Sequence, residues 1–205
     1  MLHYETISPA TLELLKSIQS ISDLHDTCLV GGTALALQLG HRKSIDLDMF
    51  GNIHSPASEI RRKLSETHTL QILKESDNIN IYLVDGVKVD FVNYAYDWLN
   101  PIVTEDNLRL ASVEDIAAMK IAAVIGRGTR KDFIDLYFLL RTYSMKEILD
   151  FYSDKYPDGS LFIAVKSLSY FDDAETDPMP EMLESVSWQC VKETIASAVR
   201  DFAGR

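Results

Sequence analysis

The sequence predicts an α+β fold: a mixed β-sheet flanked by helices, followed by a C-terminal α-helical region. Three observations carry that prediction. Residues 79–92 read INIYLV-DG-VKVDFV, two alternating runs joined by Asp85-Gly86. Asp-Gly between alternating strands favours a tight hairpin, because both central residues need positive φ. Residues 27–33 read TCLVGGT, a short apolar run stopped by a glycine pair before a helical stretch. Beyond Pro101 the apolar residues recur at helical spacing, the period of an amphipathic helix.

Each element has its own signal. Ser8-Pro9 opens the first helix, with Ser8 as N-cap and Pro9 at the first helical position. Leu12, Leu15 and Ile18, with Leu14 and Ile21 beside them, form its buried stripe. Residues 27–30 read as a buried strand, 33–39 as a short helix stopped by Gly40, and 44–50 as a second strand. A helix is expected from about 55 to 66, and a further strand near 70–74 extends the sheet. After Pro101 only helices are expected. Ser112 and Asp115 suggest a capping box, with Ile116, Met119, Ala123 and Val124 behind it, and Gly126 to Gly128 break that helix. The following helices are expected at 130–141 and 144–152, and a last one carries Trp188, Val191, Ile195, Ala198 and Phe202. This divides the chain into a core at 1–98 and a helical region at 99–205 that packs on it.

Composition narrows the function. With 205 residues, 46% hydrophobic and 25% charged, the chain has globular proportions. A net charge of −11 disfavours non-specific coating of duplex DNA. Only two small basic groups stand out: Arg61, Arg62 and Lys63, then Lys120, Arg127, Arg130 and Lys131. Residues 171–185 hold six acids and no base, either a solvated linker or a partner-binding segment. Cys28 and Cys190 lack metal-ligand spacing and suit a reducing compartment. No signal peptide or membrane-spanning run is visible, so a soluble, cytoplasmic protein is expected.

The carboxylates carry the chemistry. On a strand at 44–50, Asp46 and Asp48 share one face while Ile45, Leu47 and Met49 pack on the other. In the hairpin, Val87, Val89 and Phe91 share a face and Asp90 points away from it. If the two strands are neighbours, Asp46, Asp48 and Asp90 form a ligand set of hard oxygens that suits Mg²⁺ or Mn²⁺. Unpaired, such carboxylates would raise one another's pKa. Asp90 would also help deprotonate an acceptor hydroxyl. Gly31 and Gly32 sit where a strand ends and a helix begins, a natural phosphate seat. Thr33 can cap that helix or contact a phosphate. Arg42 and Ser44 can reach the same anion or make ordinary loop contacts. Tyr82, Tyr94 and Tyr96 could stack on a base, although packing is their simpler use.

These residues carry a resemblance. The run GGTALALQLGHRKSIDLDMF, then Glu114-Asp115 with Lys120, then Lys131-Asp132 with Asp135, resembles the DNA polymerase β-like nucleotidyltransferase superfamily. The pattern is most similar to the AbiEii/AbiGii toxin family of minimal nucleotidyltransferases, over residues 27 to 140. The resemblance implies a nucleotidyltransferase-type mixed sheet. It also implies that Lys120 contacts the triphosphate, with Asp132 or Asp135 supporting the site from the helical half. A packed surface lysine and helix N-terminal charges are the plainer readings of those three residues. Lys131 is placed to pair with Asp135. The superfamily usually has Gly-Ser where this chain has Gly-Gly-Thr, which leaves Thr33's contact open.

The expected function is therefore a Mg²⁺-dependent nucleotidyltransferase moving an NMP from an NTP to an acceptor hydroxyl. By resemblance it acts as a toxin of an abortive-infection or toxin–antitoxin pair, with RNA (a tRNA 3′ end) or protein as acceptor and a cognate antitoxin as partner. The alternatives are a non-catalytic NTP-binding regulator or antitoxin-like partner on the same fold, and a metal-dependent phosphohydrolase.

Overall fold

The computed structural model describes residues 1–204. Chain order begins with α1 (Pro9–Ser20), β1 (Thr27–Val30), α2 (Gly31–Leu39), β2 (Leu47–Gly51) and α3 (Ala57–Ser65). The strands β3 (Leu70–Lys74), β4 (Ile79–Val84), β5 (Val87–Asn93), β6 (Val103–Glu105) and β7 (Leu108–Leu110) follow. Five helices complete the described residues: α4 (Val113–Gly126), α5 (Arg130–Leu139), α6 (Met145–Lys155), α7 (Leu161–Ser167) and α8 (Trp188–Ala203). No helix among them is long and apolar enough to cross a membrane.

The seven strands form one mixed sheet in the order β3-β4-β5-β2-β1-β7-β6. β4 and β5 are the expected hairpin, with Asp85 and Gly86 both at positive φ (48° and 83°). Most neighbours are antiparallel, but β2 runs parallel to β5, and β1 parallel to β7. Strand alternation buries Leu47, Met49, Val89 and Phe91 completely. Each such side chain contributes about 1.5–3 kcal/mol relative to exposure. α2 packs on β1, β2, α4 and α5, so the short helix after the glycines bridges the sheet to the helical half.

Capping sets several helix starts. The Ser8 hydroxyl accepts from Thr11 N at 3.0 Å, and Ser112 does the same for Asp115 N at 3.0 Å. Ser144 and Glu147 make a full capping box. Replacing such a cap costs about 1 kcal/mol.

Three expectations need correction. The strand expected at 44–50 is Leu47–Gly51. Residues 43–46 pair elsewhere: Lys43 N donates to Glu181 O, Ser44 N to Thr6 O, and the Thr33 hydroxyl holds the Asp46 carbonyl. Consequently Ile45 is not in the core but 72% exposed. Second, helices do not begin directly after Pro101, because β6 and β7 form a hairpin that joins the sheet. Its turn, Asp106-Asn107, sits at positive φ (51° and 63°). Third, the acidic 171–185 stretch is not a free linker. Leu183 N and Glu184 N donate to His41 O, and Met182 bridges Arg42, so it straps the loop ahead of the carboxylates.

Candidate active site

β2 and β5 lie side by side in parallel, and their register sets Asp48 directly opposite Asp90. This juxtaposition follows from alternation: Leu47, Met49, Val89 and Phe91 turn inward, so the aspartates between them share the other face. Burial, and then the neighbouring Asp90 charge, push the Asp48 carboxyl up to about 6.

Above Asp48 begins α2. Gly31 has φ +68°, and a Cβ there would stand 2.3 Å from Asp48 Oδ2. A Cβ at Gly32 would stand 2.3 Å from Arg42 Nη2. The two glycines therefore have separate uses. One lets the helix N-terminus descend onto the carboxylate; the other admits the arginine.

Two adjoining cavities meet at this point. The polar one, about 240 Å³, is lined by Gly32, Thr33 and Ser44, the carboxylates Asp46, Asp48 and Asp90, and the cations Arg42, Lys88, Lys120, Arg127 and Lys131. The more apolar one, about 350 Å³, has Phe50, Tyr94, Met119 and Tyr156 in its wall and shares Asp48, Asp90, Lys120 and Arg127 with the first. A charged compartment beside an aromatic one matches the two halves of a nucleotide.

Behind the polar cavity lies a buried ionic cluster. Arg42 Nε and Nη2 donate to Asp135 at 2.7 and 2.8 Å, and His41 Nε2 sits 2.8 Å from Asp135 Oδ1. Lys120 Nζ reaches Asp135 at 2.6 Å and Asp132 at 3.1 Å. Arg127 and the Thr129 hydroxyl complete Asp132. Burial alone would raise both aspartates. Lys120 and the arginines more than reverse this and hold both well below the usual carboxylate range. Three cations serve two carboxylates, so the cluster presents surplus positive charge to the cavity.

All eleven residues singled out from the sequence fall in this neighbourhood, but in different roles. Asp46, Asp48, Asp90, Gly31 and Gly32 line the cavities. Arg42 and Asp135 are buried partners, and Asp132 is buried beneath Lys120. The Thr33 hydroxyl is buried and spent on Ser44 (2.8 Å) and the Asp46 carbonyl. Lys131 does not pair with Asp135, whose oxygens are already taken; its Nζ lies 3.9 Å from Asp46 Oδ2. His41 lies in the loop after α2 and is fully buried against Phe138.

Tyr82 is core, fully buried and hydrogen-bonded to Glu75. Lys88 joins the site as well, because its place two residues from Asp90 on β5 puts the pair on one face. Its Nζ donates to Asp90 Oδ1 at 2.5 Å.

Asp46, Asp48 and Asp90 share the wall of one cavity without closing on a single point. Among the described residues no three acidic, His or Cys side chains converge as ligands of one ion. Lys88 engages Asp90, and Lys131 leans toward Asp46. The donor set still fits a hard divalent cation: all oxygens, on one wall, with an Asp48 charge that its surroundings penalise.

A parallel strand pair bearing these aspartates, under a helix led by glycines, defines the class: this is a nucleotidyltransferase fold. The sequence narrows the class further. The profile of the nucleotidyl transferase AbiEii toxin family, of the Type IV toxin–antitoxin system, matches residues 13–201, and the chain belongs to that family. An uncharacterised protein of Aquifex aeolicus (strain VF5) is 35% identical over 198 residues, covering 93% of this chain and 94% of its own. Among solved structures, JHP933 from Helicobacter pylori superposes with a TM-score of 0.61 at 19% identity, covering 97% of this chain and 94% of that one. MenT4, a nucleotidyltransferase toxin from Mycobacterium tuberculosis H37Rv, gives a TM-score of 0.58 at 16% identity, covering 91% of this chain and 80% of that one. At these identities the superpositions speak to fold.

Proposed function

We propose that the protein transfers a nucleoside monophosphate from an NTP to an acceptor hydroxyl, with Mg²⁺ or Mn²⁺ as cofactor. The observation that carries this reading is Asp48 opposite Asp90, beside the N-terminus of α2 and the surplus positive charge around Lys120. A hydrolase would need the carboxylates but not the adjoining aromatic cavity.

The chain's own residues divide the work. Backbone N–H groups at Gly31 and Gly32, with Lys120 and Arg127, seat the triphosphate. Phe50, Tyr94 and Tyr156, in the wall of the apolar cavity, would pack against the base. Asp46, Asp48 and Asp90 would hold the divalent ion, which when bound polarises the phosphoryl group and the attacking oxygen. Asp90 takes the acceptor proton as the acceptor oxygen forms its bond to the α-phosphorus. The bond from that phosphorus to the bridging oxygen breaks, and pyrophosphate leaves with the electron pair.

Family membership supports a toxin paired with a cognate antitoxin. RNA, including a tRNA 3′ end, is the first acceptor to test and protein the second. The test is incubation with each labelled NTP, Mg²⁺ and total RNA or cell protein, beside Asp46→Ala/Asp48→Ala. Label should move to one acceptor class and vanish in the double variant. NTP binding without transfer to any acceptor would favour a regulator on the same fold.

A further inference from the structure

The polar cavity contains two kinds of cation. Lys120 and Arg42 are buried, and with Arg127 they are committed to Asp132 and Asp135. Lys88 and Lys131 are instead 40% and 45% exposed. Among the described residues their only ion-pair partners are wall carboxylates, Asp90 at 2.5 Å and Asp46 at 3.9 Å. These lysines stand where a metal cofactor would need the same oxygens.

An ammonium and a divalent ion repel and compete for the lone pairs of Asp90, so one must yield when the other arrives. Lys88 can yield: its side chain is 40% exposed, its one ion-pair partner among the described residues is Asp90, and its four-carbon stem is flexible. A triphosphate is the one substrate component with enough negative charge to take it over. Lys120 cannot play this part, because it is buried between Asp132 and Asp135 and pairs with no carboxylate of the cavity wall.

We propose that Lys88 is a place-holding cation. In the nucleotide-free protein it neutralises Asp90 and opposes divalent-ion binding. When the metal–NTP complex enters, its ammonium passes from Asp90 to the triphosphate, freeing the carboxylate. Lys131 acts on Asp46 in the same way through a longer, weaker contact. The proposal rests on the nucleotidyl-transfer reading and adds an order to it: metal and nucleotide load together, and the empty protein holds the ion more weakly than the nucleotide-bound one.

Mn²⁺ binding, followed by the loss of the free-ion electron paramagnetic resonance signal, tests this without any turnover. Wild type, Lys88→Met and Lys88→Arg are titrated alone and with a non-hydrolysable NTP analogue, after thermal melts confirm folding. Lys88→Gln replaces the methionine variant if that one melts early.

Without nucleotide, Lys88→Met should bind Mn²⁺ about three- to tenfold more tightly, as expected when a competing partly exposed charge is removed. With the metal present, the same variant should bind the analogue about threefold or more weakly. Lys88→Arg should keep both properties near wild type. Opposite signs for metal and nucleotide are the signature, since a merely structural lysine would weaken both.

Unchanged or weaker Mn²⁺ binding by nucleotide-free Lys88→Met overturns the proposal, as does tighter analogue binding. If Mn²⁺ binds neither protein even with the analogue, the nucleotidyl-transfer reading falls with it. If labelled transfer occurs while Lys88→Met leaves metal affinity alone, only the lysine's role falls.

Discussion

The protein buries two ionic clusters, and they are built on opposite plans. At the junction between the sheet and the later helices, Asp115 and Lys155 are fully buried and paired at 2.7 Å. Asp115 also accepts from Leu99 N, Asn100 N and the Ser112 hydroxyl, while Lys155 donates to the Asp97 carbonyl. The Lys155 ammonium lies 4.5 Å from the centre of the Trp98 ring. Every lone pair and proton is answered locally, one anion to one cation. At the cavity, by contrast, Lys120, Arg42 and Arg127 share Asp132 and Asp135, and the one positive charge left over borders the cavity and its wall carboxylates. A balanced, sealed pair stabilises architecture; an unbalanced cluster at a cavity wall is poised for an anion. Both include residues of the family-like Glu114-Asp115…Lys120 motif, so membership in a motif does not by itself separate scaffold from chemistry.

The largest effect should come from splitting the two roles. Lys155→Met strands Asp115 without its cation and should cost about 3–5 kcal/mol of stability. Transfer by the molecules that remain folded should stay near wild type. Lys120→Met should do the reverse. Asp132 keeps Arg127 and Thr129, and Asp135 keeps Arg42 and His41, so the stability loss should be less than half as large. Transfer should fall on the order of a hundredfold or more, as when a charge-stabilising group is lost from an active site. Urea melts followed by tryptophan fluorescence, with label-transfer assays on the same samples, measure both. Equal destabilisation by the two variants would erase the distinction.

Acid sharpens the contrast within the cavity itself. Asp132 and Asp135 are held below the usual range, so their stabilisation is complete above their unfolded pKa of about 4 and is lost as pH falls below it. Asp48 is shifted the other way, up to about 6. In metal-free protein its folded form binds a proton more readily than the unfolded chain does. Its contribution therefore rises as pH falls through 6 and levels off near 4. The net charge of −11 also shrinks over that window, which makes Asp48→Asn the necessary comparison. Urea midpoints in EDTA should climb more steeply between pH 7 and 5 in wild type than in Asp48→Asn, then drop in both below 4. Parallel curves above pH 5 would show that Asp48 is not penalised in the fold.

Local rules made part of this site readable in advance. Alternation placed Asp48 and Asp90 away from the core, and the Asp85-Gly86 turn marked the strand that carries Asp90. Asp135 could be suspected only by resemblance, because its partners His41 and Arg42 are more than ninety residues away in sequence. No local pattern announces such a pairing. The strands at 103–110 escaped notice since each has three residues, too few for periodicity to register. Their Asp106-Asn107 turn was the available signal. Ile45 was misplaced because alternation was extended two residues before the strand begins, into a segment held by Thr33 and the 181–184 strap.

The smallest effect tests whether the two clusters are independent. Tyr94 stands between them: its ring lies 5.2 Å from the Lys155 ammonium and also lines the aromatic cavity, and its hydroxyl bonds Tyr156 Oη at 2.8 Å. Tyr94→Phe keeps the ring and removes only that hydrogen bond, so about 1 kcal/mol of stability should be lost. The hydroxyl does not touch Lys155. The cost should therefore add to that of Lys155→Met within about 0.5 kcal/mol, and urea melts of the two single variants and the double variant measure the difference. A larger coupling would make the sealed pair and the cavity wall one network. Lys155 would then belong to the site, and the loss in Lys155→Met should extend to nucleotide affinity.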